Sequence, residues 1–305
     1  MKYKLLVILL ITLFLFVSLF AGDYSGGQPC AFLRIPVGAR AGGLGSSFTA
    51  IADDISALYW NPGGLFQLKS VTVGGMYSLM SQDRIHNYAC LIIPVESSLT
   101  FALSGTQFGI SDISGWDEYG NFTGKYDDSE LAISLGVCKN IGKLLGLGFT
   151  VKYLNHSVHD EEAKGFGYDA GLLFNIGFES KIFNSLRFGI TAQDISSSIE
   201  WDTDSSTKEE IPLTMRIGCA LDFIVKGEPL LIAFDVSQTT DEEMIFHAGV
   251  ETWLFNLLAL RCGLNDKEVN FGASFRIKAF QIDYAYCPDI FESEATNRFG
   301  FQISF

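Results

Sequence analysis

The chain has 305 residues, 48% of them hydrophobic and only 18% charged, with Phe 26, Tyr 11 and Gly 31 and a mean hydropathy of +0.24. Apolar and aromatic content on this scale excludes a disordered chain, and Lys+Arg 21 against Asp+Glu 35, a net charge of −14, excludes a nucleic-acid binder, which needs a basic face. A polytopic helical membrane protein is excluded too, because a single run approaches the ~20 apolar residues of a spanning helix.

That run is at the N-terminus. Lys2 and Lys4 precede the almost wholly apolar stretch Leu5 to Phe20, and Ala21-Gly22 supplies small residues before polar Asp23-Tyr24-Ser25. The pattern predicts a secretory signal peptide over residues 1–21. Leu19 is larger than the −3 position prefers, and an uncleaved anchor is the rival expectation. Gly27-Gln28-Pro29 before Cys30 is not a lipobox, so no lipoprotein is expected. Six cysteines in an exported chain invite a disulfide framework, but Cys30, Cys90, Cys138, Cys219, Cys262 and Cys287 are scattered one per segment. Mostly free thiols are expected, with Cys30–Cys287 the one pairing left open.

Residues 22–69 form a compact, Gly-rich segment. Ser46 to Ala52 and Asp54 to Tyr59 are short helical candidates, and Asp53 or Asp54 can cap the second. Asn61-Pro62-Gly63-Gly64 stops it, since Pro cannot continue a helix. The segment is placed to fold as a plug inside the remainder of the chain. Gly42-Gly43-Leu44-Gly45 superficially suggests a phosphate loop, but no strand precedes it and no βαβ unit comes after it.

From Lys69 onward no helical period is sustained, and alternation of period two repeats instead. The last segment shows it best, with Phe299, Phe301, Ile303 and Phe305 on one face and Arg298, Gly300, Gln302 and Ser304 on the other. Strands are predicted over 71–77, 87–93, 99–108, 131–137, 145–153, 166–176, 186–192, 213–223, 230–236, 245–253, 258–264, 269–277, 280–286 and 298–305. Pro94, Pro212, Pro229 and Pro288 fall at segment boundaries, as ladder hydrogen bonding requires. Connections alternate in length. Gly109–Ser129, Asn155–Gly165, Asp194–Ile211, Thr239–Glu243 and Cys287–Thr296 are long, whereas Val95–Ser98, Lys139–Lys143, Lys226–Glu228 and Phe255–Leu257 are short. An even set of strands with long loops at one rim and tight turns at the other is the layout of an outer-membrane barrel. The polar face is mainly Gly, Ser, Thr, Asn and Gln, which suits a crowded interior behind a lipid-facing exterior. A secreted β-sandwich or propeller is the soluble alternative. The expectation is therefore an all-β, 14-stranded antiparallel transmembrane barrel over residues 70–305, plugged by residues 22–69.

The inward face carries charges. Arg187, Arg216, Arg261 and Arg298 each precede an inward Gly by two residues (Gly189, Gly218, Gly263, Gly300), which gives a long guanidinium room to cross the bore. Arg276 and Lys152 share that face, opposed by Asp169, Asp222, Asp235, Glu251 and Asp283. A structural ion-pair lattice holding wall and plug is one reading, and a lining that positions an anionic head group or a plug carboxylate is the other. The acidic excess, including Asp112, Asp117, Glu118, Asp127, Asp128, Asp160 to Glu162, Glu200, Asp202, Asp204, Glu209, Glu210, Asp241 to Glu243, Glu292 and Glu294, falls in the long connections. It reads as a solvated rim, or as a surface for divalent cations or a basic partner. His156 and His159 before Asp160-Glu161-Glu162 could ligate a metal, though a polar loop explains them equally. No metal site and no cofactor is expected. No catalytic constellation shares a face either, so no enzyme is expected.

Gly38 to Leu65 reads GARAGGLGSSFTAIADDISALYWNPGGL. The Gly-Ala-Arg-Ala lead through Arg40, the Gly-rich stretch with Gly42 and Gly45, Asp53-Asp54 and the run ending Trp60-Asn61-Pro62 resemble the N-terminal signature of the PorV/PorQ family, itself similar to FadL-type hydrophobic-compound channels. Gly63 stands where that family usually has Ala. The aromatic C-terminal strand, with Phe301, Ile303 and Phe305, looks like the signal read by the barrel assembly machinery. The resemblance implies a 14-stranded outer-membrane barrel with a hatch. Its partners would be lipid and either secretion-system envelope proteins with exported cargo, as in type IX secretion and surface attachment, or a hydrophobic ligand such as a fatty acid taken up passively. Secretion is the main expectation and the hydrophobic-molecule channel the alternative.

Overall fold

The computed structural model describes residues 28–81, 83–95, 98–203, 205–288 and 295–305. The expected signal peptide, residues 22–27 of the expected plug, and Asp204, Glu292 and Glu294 lie outside them.

The strands are β1 (Thr72–Leu79), β2 (Arg84–Val95), β3 (Leu99–Trp116), β4 (Phe122–Ile141), β5 (Leu145–Val158), β6 (Glu161–Gly177), β7 (Phe183–Gln193), β8 (Ser198–Trp201), β9 (Lys208–Glu210), β10 (Thr214–Val225), β11 (Glu228–Thr239), β12 (Ile245–Leu254), β13 (Leu258–Asn265), β14 (Glu268–Ile277), β15 (Phe280–Cys287) and β16 (Thr296–Ser304). All but β8 and β9 form one closed antiparallel wall of fourteen strands. β7 pairs with β10, and β16 returns to β1 in the register Thr72↔Ser304 to Leu79↔Asn297. β8 and β9 make a small hairpin laid on the outer end of β6, with Ala163 opposite Trp201. Closure removes every edge, which lipid requires because it offers backbone groups no water.

All fourteen predicted wall strands are present, but two of the expected long loops are not loops. Gly109–Ser129 is mostly the continuation of β3 and β4, and Asn155–Gly165 continues β5 and β6 around the turn at His159-Asp160. Above the lipid both faces of a ribbon meet water, so the apolar alternation that announces a strand fades there. The outer connection of β13 and β14 is only Asp266-Lys267, an exception to the alternation of long and short. Inner turns are short throughout.

Outward residues form an apolar band. Leu135 is 59% and Phe234 54% exposed, and Leu103, Phe271, Phe299 and Phe301 join them, while inward Ser78, His86 and Thr191 are fully buried. A soluble sheet has the opposite arrangement. Rings pair along this surface, as in Phe149–Tyr168 at 6.3 Å and Tyr284–Phe299 at 5.3 Å. All six cysteines are free thiols.

Residues 28–69 fill the bore from rim to rim. At the outer end Cys30, Phe32 and Leu33 pack against Ala132, Leu154, Ala163, Ile199 and Ile211. At the inner end Phe66, Gln67 and Lys69 stand beside Asn140 and Lys143. Regular structure is sparse: single turns at Ala31–Arg34, Ala39–Gly43 and Ala57–Trp60, then a 3₁₀ segment over Pro62–Gln67. The helix expected over Ser46 to Ala52 is absent, and the one that forms lies earlier, at Ala39–Gly43. Residues 46–52 spend backbone groups on side chains of the wall, such as Asp235 and Arg216, and are not free to make a helical ladder.

The inward glycines explain how the hatch fits. A Cβ at Gly146, Gly148, Gly171, Gly189 or Gly263 would overlap Gly63, Pro62, Asn61, Thr49 or Gly45 respectively. The expectation that Gly189, Gly218, Gly263 and Gly300 make room for arginines is thus corrected. Gly189 and Gly263 abut hatch backbone, Gly218 faces Asp235 and the Ala50 amide, and Gly300 faces Ala39. Without side chains at these points the hatch backbone reaches the wall directly.

Candidate functional site

The site is the pair of seams between hatch and wall, and they differ in chemistry. On the side of β7 and β10–β16 ion pairs lie beside an apolar cluster in which Leu44, Phe48, Ile51 and Trp60 meet Ala220, Leu231 and Ala233. Arg40 grips Glu251 with two bonds, Nε–Oε2 at 2.8 Å and Nη2–Oε1 at 2.9 Å, and pairs with Asp53 through Nη1. Glu251 also accepts from Arg261 and, at 3.1 Å, from the Trp253 indole. Arg187 bridges Asp53 (3.1 Å) and Asp222 (2.8 Å). Arg261 lies 3.5 Å from Asp283, which accepts from Ser274 and Gln281. Buried charges are tolerable only when paired and fully hydrogen-bonded, and bidentate guanidinium–carboxylate pairing is the strongest form available.

The same side satisfies the hatch's irregular backbone. Asp235 accepts from the Phe48 and Thr49 amides at 3.0 and 2.8 Å. Arg216 donates to the Ser46 carbonyl at 2.9 Å with its guanidinium 4.7 Å from the Trp60 ring centroid. His247 Nδ1 meets the Gly45 carbonyl at 3.0 Å, Asn270 donates to Gly42 at 2.9 Å, and Thr191 and Gln193 donate to Trp60 and Tyr59. Asn61 ties both layers together. Its Nδ2 donates to Thr49 (2.9 Å) and to Leu172 of the wall (3.0 Å), while Oδ1 accepts from the Gly63 amide. These bonds meet the requirement that buried backbone groups be paired.

On the side of β1–β6 the seam is largely apolar. Val37, Ile55, Leu58, Leu65, Phe66 and Leu68 of the hatch pack on Met76, Tyr88, Cys90, Ile92, Ala102, Cys138 and Leu173 of the wall. Between this cluster and the outer one around Phe32 lies a small cavity of about 20 Å³, lined by Leu33, Leu58, Tyr59, Tyr88 and Ala132 and by the polar Ser104, Thr106, Ser134 and Gln193. Lys152, bound to Asp169 (2.7 Å) and Asp194, marks its polar end. Two wider recesses open at the inner rim, of about 460 and 970 Å³, and Asp53 lines both.

Burial and neighbouring charges shift the acidic groups of the hatch. Burial alone would raise Asp53, but Arg40 and Arg187 outweigh it and hold the carboxyl below its usual range. Burial pushes Asp54 up to about 6, against Arg40 and the Ser56 hydrogen bonds. The Tyr59 hydroxyl, buried and donating to the Leu33 and Ile35 carbonyls, is pushed up to about 12.

The structure sorts the residues singled out by sequence. Arg40, Asp53, Arg187, Asp222, Glu251, Arg261 and Asp283 form one network. Arg276 stands beside it, stacked 3.8 Å from the Trp253 centroid and donating to Gln281. Asp235 and Arg216 hold hatch backbone, and Asp169 belongs with Lys152 across the bore. Arg298 joins none of them. Of the hatch motif, Gly42, Gly45 and Gly63 lie against the wall, Pro62 opens the 3₁₀ segment, and Asp54 accepts from the Ser56 amide at 2.8 Å. His156 meets Asp128 at 2.9 Å, whereas His159 pairs with Asp160. Sequence reasoning missed Trp253, Gln193, Asn270 and His247. Inward position on an alternating strand was the available signal for each.

A closed 14-stranded barrel with an apolar belt, short inner turns and a plugged bore is an outer-membrane β-barrel protein. No family model matches the sequence, and no curated protein matches it. Among solved structures the chain is similar to the CymD monoaromatic hydrocarbon channel (11% identity, TM-score 0.61, covering 92% of this chain and 99% of that one). It is similar also to the Pseudomonas putida toluene transporter TodX (11%, 0.59, 93% and 98%) and to a Pseudomonas aeruginosa FadL homologue (10%, 0.55, 89% and 98%). At such identity the likeness is one of fold. It agrees with the FadL-type resemblance and lends none to the narrower PorV/PorQ family.

Proposed function

We propose that the protein is a conduit for small hydrophobic molecules through the outer membrane, gated by the hatch. The observation that carries this reading is the division of the bore. Ion pairs and backbone bonds concentrate on the β7 and β10–β16 side, beside an apolar cluster of Leu44, Phe48, Ile51 and Trp60 against Ala220, Leu231 and Ala233, while the β1–β6 side holds more apolar packing than charge, together with the Tyr88–Ile55 hydrogen bond and the Lys152–Asp169 pair. Apolar contacts can be exchanged for contacts with an apolar ligand at little cost, so a molecule can part this seam while the opposite one holds. The neighbours in fold, a hydrocarbon channel and a toluene transporter, support the reading. The cavity has room for about one water, so on this reading a ligand passes only when Leu33 and Leu58 are displaced. A secretion or surface-attachment role rests on the hatch-segment resemblance alone.

The test is uptake of labelled toluene by cells or proteoliposomes carrying the protein. Ala132→Trp fills the seam and should cut uptake several-fold. Leu135→Trp, on the lipid side of the same strand, should leave it unchanged. Equal uptake with and without the protein, or an Ala132→Trp channel as active as its parent, refutes the proposal.

A further inference from the structure

Ser78, His86 and Arg298 stand side by side on three adjacent strands, with His86 opposite Ser78 on β2 and β1, and Ser78 opposite Arg298 on β1 and β16. All three face the bore, and Arg298 is only 6% exposed. Yet the Ser78 hydroxyl, both His86 ring nitrogens and Arg298 Nε have no hydrogen-bond partner among the described residues. The other inward arginines are engaged. Arg40, Arg187 and Arg261 hold carboxylates, Arg216 a carbonyl, Arg276 a glutamine and Arg84 the Ser81 carbonyl. Arg298 has no carboxylate within ion-pair distance among the described residues.

A buried cation without a counter-charge is unfavourable, and unpaired buried donors in one place call for an acceptor. A guanidinium, an imidazole and a hydroxyl present mainly N–H and O–H groups, the complement of an oxyanion. Position suits entry from outside. Ser78 is one residue from the outer end of β1, and Arg298 two from that of β16. The hatch approaches here through Gly42, where a Cβ would stand 3.3 Å from Arg298 Nη1 and 3.1 Å from Cys287 Sγ. The glycine keeps the plug from crowding the guanidinium.

We propose that Ser78, His86 and Arg298 form an oxyanion-binding site at the outer end of the bore, taking the carboxylate of an amphipathic small molecule or a free oxyanion. The amphiphile source rests on the conduit reading, and oxyanion recognition itself does not. The purified full chain in an uncharged detergent is titrated calorimetrically with octanoate, octan-1-ol and inorganic phosphate. Octanoate should bind on the order of 10- to 100-fold more tightly than octan-1-ol, the worth of charge-assisted hydrogen bonds. Arg298→Gln should abolish that preference and leave octan-1-ol binding alone, while Arg298→Lys restores part of it. His86→Gln, which keeps the charge, should weaken octanoate and serves if Arg298→Gln does not assemble. Phosphate binding that depends on Arg298, without either octyl probe binding, supports the site with a free anion as its source and counts against the conduit. Anion binding that is absent, or indifferent to Arg298 and His86, overturns the inference and leaves the conduit standing if octan-1-ol binds.

Discussion

Asp54 offers a quantitative test of how the hatch is held. Its carboxyl is buried and accepts from both the amide and the hydroxyl of Ser56, yet burial outweighs these bonds and the docked value rises from 3.8 to about 6. A group whose docked pKa exceeds its free one costs nothing while protonated in both states, below about pH 4. The cost grows as pH climbs and is complete above about 6. Two pK units at 1.36 kcal/mol each is about 3 kcal/mol. Asp53 works with the opposite sign. Held low by Arg40 and Arg187, it favours docking above about pH 4 and loses that contribution only in acid. Between pH 4 and 7 the contribution of Asp54 to docking therefore falls as pH rises, while that of Asp53 is already in place. Asp54→Asn keeps an oxygen to accept from Ser56 and carries no charge. At pH 7.5 it should make opening of the hatch roughly 100-fold rarer, and at pH 4 it should change little. Hydrogen exchange of residues 44–67, compared between variant and parent at the same pH, reads this directly because intrinsic exchange rates cancel. A hatch that opens more often in Asp54→Asn at pH 7.5, or an equal gain at both pH values, refutes the reasoning.

Glu251→Ala leaves Arg40 and Arg261 buried without their shared partner, and should cost about 3–5 kcal/mol, seen as a lower unfolding midpoint in detergent and faster exchange around residue 40. Gly263→Leu drives a side chain into Gly45 and should expose hatch amides while the wall stays closed. Gly105→Leu, where a Cβ meets nothing within 4 Å, is the control, and equal exchange in both would sink the account of the glycines. Removing Phe305 should lower the amount of assembled barrel several-fold in membrane fractions, and unchanged assembly would strip that residue of its expected role.

The wall was legible because lipid imposes one rule on the outward face of every strand, that it be apolar, and residues such as Phe299, Phe301 and Ile303 obey it, while the inward face mixes small and polar residues with apolar ones such as Met76 and Ile92 that meet the hatch. It ceased to be legible where lipid ends. Ile113 and Tyr126 pair across the upper part of β3 and β4, but water on both faces removes the contrast. The hatch was legible as a plug and not as a shape. Its conformation is set by partners more than a hundred residues away, such as Asp235 for Phe48 and Asn270 for Gly42, and local propensity carries no record of them. Same-face reasoning found most charged members of the network. It assigned no individual pairs, and its two readings, a lattice holding wall and plug or a lining for an anionic head group or a plug carboxylate, left open which hatch groups join; Arg40 and Asp53 do. The inward glycines show the difficulty plainly, since spacing alone made them look like clearance for arginines when they are docking points for another stretch of backbone.

The path of residues 28–69 bears on how the molecule is built. This stretch runs from the outer mouth down to the inner rim, where β1 begins, and β1 then pairs with β16. Once Thr72–Leu79 has zipped to Thr296–Ser304, a folded plug as wide as the tube has no way in. A hatch that reaches the wall already folded has therefore to be in place before that joint closes.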